Sequence, residues 1–459
     1  MLNFTCSLDG DGCATDYAHR LLSSLGIDVR RDYRRADDHP AVSWARSGAM
    51  SLTGSADGPP QMCPVPLASC AEGVLAAFAA IAGEHVAARL PGAAVLSEHA
   101  ACAGLRRNGA ISPGGGSRLL RAADGWLAIS LTRSADWDLV PAWLEEDAAA
   151  SWDSVTATVG QRPAALLLER GRLLGLAVAL AGQPTSRTPA SWHAVMLDSA
   201  PGGTAKNRER PLVIDLSSLW AGPLCGHLLQ TAGAQVVKVE SLRRPDGARN
   251  GSAGFYHLLN HGKASVALDF STPRGLDQLR RLLLKADIVI EASRPRALRQ
   301  LGIDAEHILA GNPGLTWLGI TGYGRAEPQA NWIAYGDDAG VAAGLSGLLL
   351  ELTGKPIFCS DAIADPLTGL HAALAALASF RGGGGRLISL SLHDVLSHCG
   401  QFTLPGCGDG IRERWLDWQN VAQTAGIPDR LPAARIADGT ARALGADTSS
   451  ILAAMEIPC

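Results

Sequence analysis

Between residues 209 and 323 short apolar runs alternate with helix-length segments, and this rhythm constrains the fold more than any other feature of the chain. LVIDLS (212–217) is followed by GHLLQTAGA and then QVVKVES (235–241). SVALDFS (265–271) is followed by the amphipathic GLDQLRRLLLKA (275–286), then by DIVIEAS (287–293) and LTWLGITGYG (315–324). Strands joined through helices must pair in parallel, and such crossovers are right-handed. The expected fold class is therefore α/β, a doubly wound parallel sheet with a smaller α+β domain beside it.

The first strand leads into SLWAGPLCG rather than G-x-G-x-x-G. A Rossmann-like sheet without that fingerprint gives no reason to expect nicotinamide or flavin. The glycine run at 382–385 lacks the G-K-[ST] ending of a phosphate loop and reads as a turn before LISLSL. Ten cysteines lie scattered, with no C-x-x-C pair and no tight Cys/His cluster, so no metal site is expected. A formal charge of -4 offers no global attraction to nucleic acid or an anionic membrane, so an anion site must be local. The first residues carry no basic flank followed by an apolar region, and no run approaches about 18 apolar residues. A cytoplasmic protein is expected.

A chain of 459 residues suits two or three domains. The first 200 residues differ in kind from the rest: Ala-rich helices, a glycine loop at Gly114-Gly115-Gly116, and a predicted hairpin over 118–133. Residues 199–210, SAPGGTAKNRER, are small, polar and charged, and form the predicted linker. The expected division is thus a small-domain-like half at 1–200 and an α/β half at 209–459. In the second half, helical DAGVAAGLSGLLLEL (338–352) precedes IADPLTGLHAALAALASF (363–380). There Asp365 is predicted to be the helix N-cap, with Pro366 as the first helical residue.

The two halves echo each other. SGAMSLTG (47–54) resembles SGLLLELTG (346–354), and LASCAEGVLAAFAAIAG (67–83) resembles IADPLTGLHAALAALAS (363–379). In that register Gly73 pairs with Gly369, and Ser69 stands where the second copy has Asp365.

DLSSLWAGPLCGHLL with GAQVVKVE, then HGKASVALDF, VIEASRP, ITGYG and the Asp365 turn followed by GGGGRLISLSLHDVL run in one order from about 211 to 396. This series resembles the class III CoA-transferase family, the group of formyl-CoA transferase and α-methylacyl-CoA racemase. The first half resembles other parts of that family: the Asp-bearing helix in degenerate form, a glycine loop, and the AADGWLAIS segment of the small domain. The order departs from the family pattern, because small-domain material here precedes the α/β domain. About sixty residues remain after residue 400, too few for another full small domain.

The resemblance implies a CoA-transferase that moves CoA from an acyl-CoA to a carboxylic acid acceptor. Asp365 would be the nucleophile, forming aspartyl anhydride and aspartyl-CoA thioester intermediates. A carboxylate suits this role because it attacks well and leaves well once acylated. The resemblance also implies that Gly114, Gly115 and Gly116 close over the intermediate, and that Arg249, Lys263 and Arg294 lie near CoA. Family members resemble interlocked dimers whose sites combine large and small domains, so a homodimer, or two complementary halves joined in one chain, is expected. Two other readings stand beside this one. The racemase branch resembles Gly-His-Asp where this chain has Gly336-Asp337-Asp338, which removes one of two required bases. A non-catalytic CoA-binding subunit would fit the rearranged order and Ser69, but not the retained Asp365.

Overall fold

The computed structural model describes residues 5–146, 151–182, 190–199, 210–402, 409–426 and 430–458. Residues 200–209 of the predicted linker lie outside them. Strands β1 (Thr5–Asp11) and β2 (Asp28–Ala36) pair in parallel. Strands β3 (Ser117–Arg121), β4 (Trp126–Ser130) and β5 (Ala177–Ala181) make an antiparallel sheet. The main sheet contains β6 (Ala194–Asp198), β7 (Leu212–Asp215), β8 (Gln235–Ser241), β9 (Ala264–Leu268), β10 (Ile288–Glu291), β11 (Thr316–Thr321) and β12 (Arg386–Ser391).

Its order is β6-β12-β11-β10-β7-β8-β9, parallel throughout except for β6 against β12. The direction of chain progress reverses between β7 and β10, which opens a crevice at their carboxyl ends. Apolar side chains point to both faces, as a covered parallel sheet demands. Val213, Val236, Ile288 and Ile290 pack with the helices Ala221–Thr231, Ala364–Arg381 and Leu392–Gln401. Leu212, Ile214, Val237 and Val239 pack with the helices Pro273–Lys285, Ala305–Gly311 and Thr448–Ala454. The helix at 273–285 begins where the residues require it: the Thr272 side chain accepts from Gly275 N, and Pro273 occupies the first position.

The predicted run at 235–241 coincides with β8, and the predicted hairpin is β3 and β4. The helical stretch at 338–352 is two helices, Gly336–Ala342 and Leu345–Thr353, separated at Gly344, whose φ is 92°.

The first half is tied into the second. β6 extends the main sheet, with Asp198 opposite Arg386. Leu67, Cys70 and Val74 of the helix Leu67–Ala82 share one hydrophobic cluster with Leu367, Leu370 and Leu374. The three-stranded sheet has a cluster of its own, built on Leu127, Ile129, Trp143 and Leu167.

The internal echo has a spatial counterpart. A Cβ added at Gly73 would lie 2.5 Å from Ala14 O and 3.1 Å from Tyr17 Cβ. One added at Gly369 would lie 2.6 Å from Ala221 O and 3.1 Å from Leu224 Cβ. Each glycine thus lets its helix press against the backbone of the helix that follows the first strand of its half.

Candidate active site

Asp365 is the second residue of the helix Ala364–Arg381, and Ile363 occupies the N-cap. The expectation that Asp365 caps this helix is corrected. The helix begins two residues earlier, which places Pro366 third and leaves the Asp365 carboxylate free of a capping role. It faces the backbone amides of Ala221 and Gly336, the first residues of two other helices. A side chain at Gly336 would collide with Asp365 Oδ2 and Ala362 O, so only glycine allows this approach. Burial, then the charge of Asp337, raises the Asp365 pKa to about 7, against the pull of the two amides.

Asp337 joins this carboxylate to the first half of the chain. Its Oδ1 accepts from Ala362 N at 2.8 Å, and its Oδ2 accepts from Ser117 Oγ at 3.1 Å. Ser112 also bonds it. Burial and the neighbouring Asp361 raise its pKa to about 6. Asp338, buried beside it, accepts from Tyr335 N and Ser130 Oγ at 2.9 Å each, and burial raises its pKa to about 7.

Ser112 and Ser117 are the two ends of the glycine loop. Ser112 N donates to Ser117 O at 3.0 Å, and Gly115 N donates to Ser112 O at 2.8 Å. Gly115 has φ 77°, and both Gly114 and Gly115 face open space, whereas a Cβ at Gly116 would press on Thr132 at 2.8 Å. Asp337 thus bonds both ends of the glycine loop, and its charge acts on Asp365.

His99 lies near the same carboxylates. Its Nδ1 lies 2.7 Å from Asp361 Oδ2, and its ring meets Trp220 and Phe255 at centroid distances of 5.4 and 4.8 Å. Burial opposes its protonation, but Asp361, Asp365 and Asp337 together raise its pKa.

The three predicted CoA contacts separate. Lys263 is buried, with Nζ 3.0 Å from Asp215 and 2.8 Å from Pro223 O. Arg249 is held by Glu240 at 2.6 and 2.9 Å and lies over the Tyr256 ring at 4.8 Å. Both are neutralised within the protein. Arg294 stands at the carboxyl end of β10, and among the described residues no carboxylate pairs with it. Burial, then the charges of Arg296, Arg133 and Arg244, lowers its pKa. Arg244 follows β8 and Arg294 follows β10, so the two flank the crevice beyond β7. Arg133, which follows β4, comes from the first half.

Residues 211–408 match the family model described as CoA-transferase family III. The chain carries a CoA-transferase family III domain. A succinate–glutarate CoA-transferase of Agrobacterium fabrum is 35% identical over 42% of this chain and 53% of its own length. A formyl-CoA:oxalate CoA-transferase of Escherichia coli is 30% identical over 41% of this chain and 48% of its own. A solved CAIB/BAIF family protein from Brucella suis is 33% identical, with 41% of this chain and 53% of that one covered and a TM-score of 0.36. The chain spans about half the length of the curated relatives it matches. Asp365, Asp337, Arg249, Lys263 and Arg294 fall inside the family III domain, whereas His99, Gly114–Gly116, Ser117 and Arg133 fall before it. The family signal could find the nucleophile candidate. It could not find side chains delivered from the other half, which carry no motif of their own.

Proposed function

We propose that this chain moves CoA from an acyl-CoA to a carboxylic acid, with Asp365 as nucleophile. The observation that carries this reading is the carboxylate of a half-buried Asp365 set against the amides of Ala221 and Gly336. Asp365 attacks the thioester carbonyl, the C–S bond breaks, and CoA leaves as thiolate from the mixed anhydride. The thiolate then attacks Cγ of Asp365 and expels the donor acid, leaving aspartyl-CoA. The acceptor carboxylate attacks the same carbon and releases CoA thiolate. That thiolate takes the new acyl group and restores Asp365.

The two attacks at Cγ place negative charge on an oxygen of Asp365, and the last step returns its carboxylate, where the two amides are already aimed, so little reorganisation accompanies the charge. The doubly wound reading supports CoA phosphates in the crevice near Arg294 and Arg244, with Arg296 adding positive charge. Lys263 and Arg249 shape the crevice walls through Asp215 and Glu240. The glycine loop serves as the lid that keeps water from the anhydride. On this reading residues 1–200 and 209–459 are complementary halves of one site, and the protein acts in the cytoplasm, as a homodimer where two chains associate. No helix among the described residues is long and apolar enough to cross a membrane.

The test is incubation with succinyl-CoA, trapping with hydroxylamine, and mass spectrometry of the Asp365 peptide. A hydroxamate at Asp365, absent from Asp365→Ala, is expected. Exchange of the substrate α-proton without any trapped species would replace this reading with a racemase, and neither result would leave a binding protein.

A further inference from the structure

Carboxylates crowd this site: the charge of Asp361 acts on Asp337 and Asp365, and that of Asp337 on Asp338 and Asp365, yet the proposed acceptor is itself an anion. An acid cannot approach an acidic site without a compensating cation, since like charges at contact distance repel strongly where water is partly excluded. The arginines identified above lie at the crevice beyond β7, suited to phosphates. A different cation is needed where acyl transfer occurs.

We propose that His99, supplied by the first half of the chain, binds the carboxylate of the acceptor acid and holds it against Asp365. The inference rests on the transferase reading and assigns a role to a residue outside the family III domain. Three features of placement support it. Asp361, with a side chain only 3% exposed, fixes Nδ1 at 2.7 Å, while the His99 side chain keeps 31% exposure. Among the described residues Nε2 has no hydrogen-bond partner, and it is not a sealed atom. The ring lies against Trp220, the residue before Ala221, whose amide faces Asp365. A histidine locked at one nitrogen and open at the other presents a single donor in a fixed direction.

The charged groups that act on His99 are Asp361, Asp365 and Asp337, and all three favour the imidazolium. The Trp220 and Phe255 rings that pack on it carry no charge. A surrounding of this kind keeps the cation available at neutral pH while the acid is recruited.

The experiment uses the full chain with succinyl-CoA as donor and glutarate as acceptor. In His99→Gln the KM for glutarate should rise about tenfold or more, while the KM for succinyl-CoA and the rate of Asp365 acylation change less than about twofold, because a neutral amide keeps the size but not the charge. In the wild type the glutarate KM should climb as pH rises through the His99 titration, and this inflection should vanish in His99→Gln. Asp361→Asn, which removes the partner of Nδ1, should move the inflection to lower pH, and it serves as the second probe if His99→Gln does not fold. Equal loss of both KM values and of acylation would mean that His99 only supports the site, and an unchanged glutarate KM would overturn the proposal. A separate readout is the His99 imidazole resonance, whose pKa should rise when glutarate is added. If that rise occurs but Asp365 is never acylated, the anchor stands and the transferase reading fails. If acylation occurs and glutarate leaves the resonance unmoved, the anchor fails alone, and the absence of both results removes both.

Discussion

Asp337, Asp338 and Asp365 have folded pKa values of about 6, 7 and 7, against roughly 3.9 for aspartate in an unfolded chain. Raised values mean that the folded state keeps protons the unfolded state has already lost. Stability from this cluster is therefore present below about pH 4 and declines as pH climbs to about 7, because the slope of the unfolding free energy with pH follows protons bound unfolded minus folded. For one such carboxyl, the decline is about 1.4 kcal/mol per pH unit between its unfolded and folded pKa, less what interaction within the cluster takes back. Urea denaturation of wild type and Asp365→Asn at pH 4.5, 6 and 7.5 should show a shallower decline in the variant. Glu72, also raised to about 7 by burial, titrates in both proteins and cancels from the comparison. An equal slope would place Asp365 outside the cluster. Catalysis runs the other way: the ionised carboxylate is the nucleophile, so the acylation rate should rise toward pH 7 and level off above it. Asp365 was legible in the sequence through its ordered neighbours. No linear pattern shows that Asp215 and Glu240 hold Lys263 and Arg249, and the pairing of His99 with Asp361 spans 262 positions.

At the level of elements, legibility followed burial. β7, β8, β10 and β11 are buried on both faces and stood out as largely apolar runs, with β8 matching its predicted bounds. β2, DVRRDYRRA, is largely exposed and carries four arginines, so no apolar pattern announced it. β6 was missed for a similar reason: its Val195 and Met196 are exposed at the sheet edge. The glycine loop is the element whose role the chemistry tests best. Gly115 adopts φ 77° with nothing near its missing Cβ, so Gly115→Val meets backbone strain rather than collision, at a cost of about 1–2 kcal/mol. A strained loop closes less well, and water then competes for the acyl-enzyme. Single-turnover assays should show more free acid relative to transferred product, with CoA affinity unchanged. An unaltered ratio would make the loop a mere connection tied to Asp337.

On the scale of the whole molecule, the chain holds one and a fraction copies of a single arrangement. The strand, helix, strand and glycine-packed helix of the first half repeat those of the second, down to the contacts of Gly73 and Gly369. The sequence showed this echo in its helices but not in β1 and β2, where charged residues hide the repeat. The copy is incomplete: β1 and β2 stand as a two-stranded sheet, and among the described residues no strands beside them correspond to β9–β12 and no turn corresponds to that of Arg294. Ser69, at the position of Asp365, is fully buried beside the Cys13 thiol. Ser69→Asp would therefore seal a carboxylate in the interior near Glu72, whose carboxyl burial already keeps protonated to about pH 7. Such a charge either stays neutral or destabilises the fold by several kcal/mol. The variant should unfold at lower temperature, more so as pH rises, and hydroxylamine trapping should still yield one modified aspartate per chain, at Asp365. Two modified sites per chain would mean that the first half retains a working CoA crevice, and that the single carboxylate, not the missing strands, limits the protein to one site.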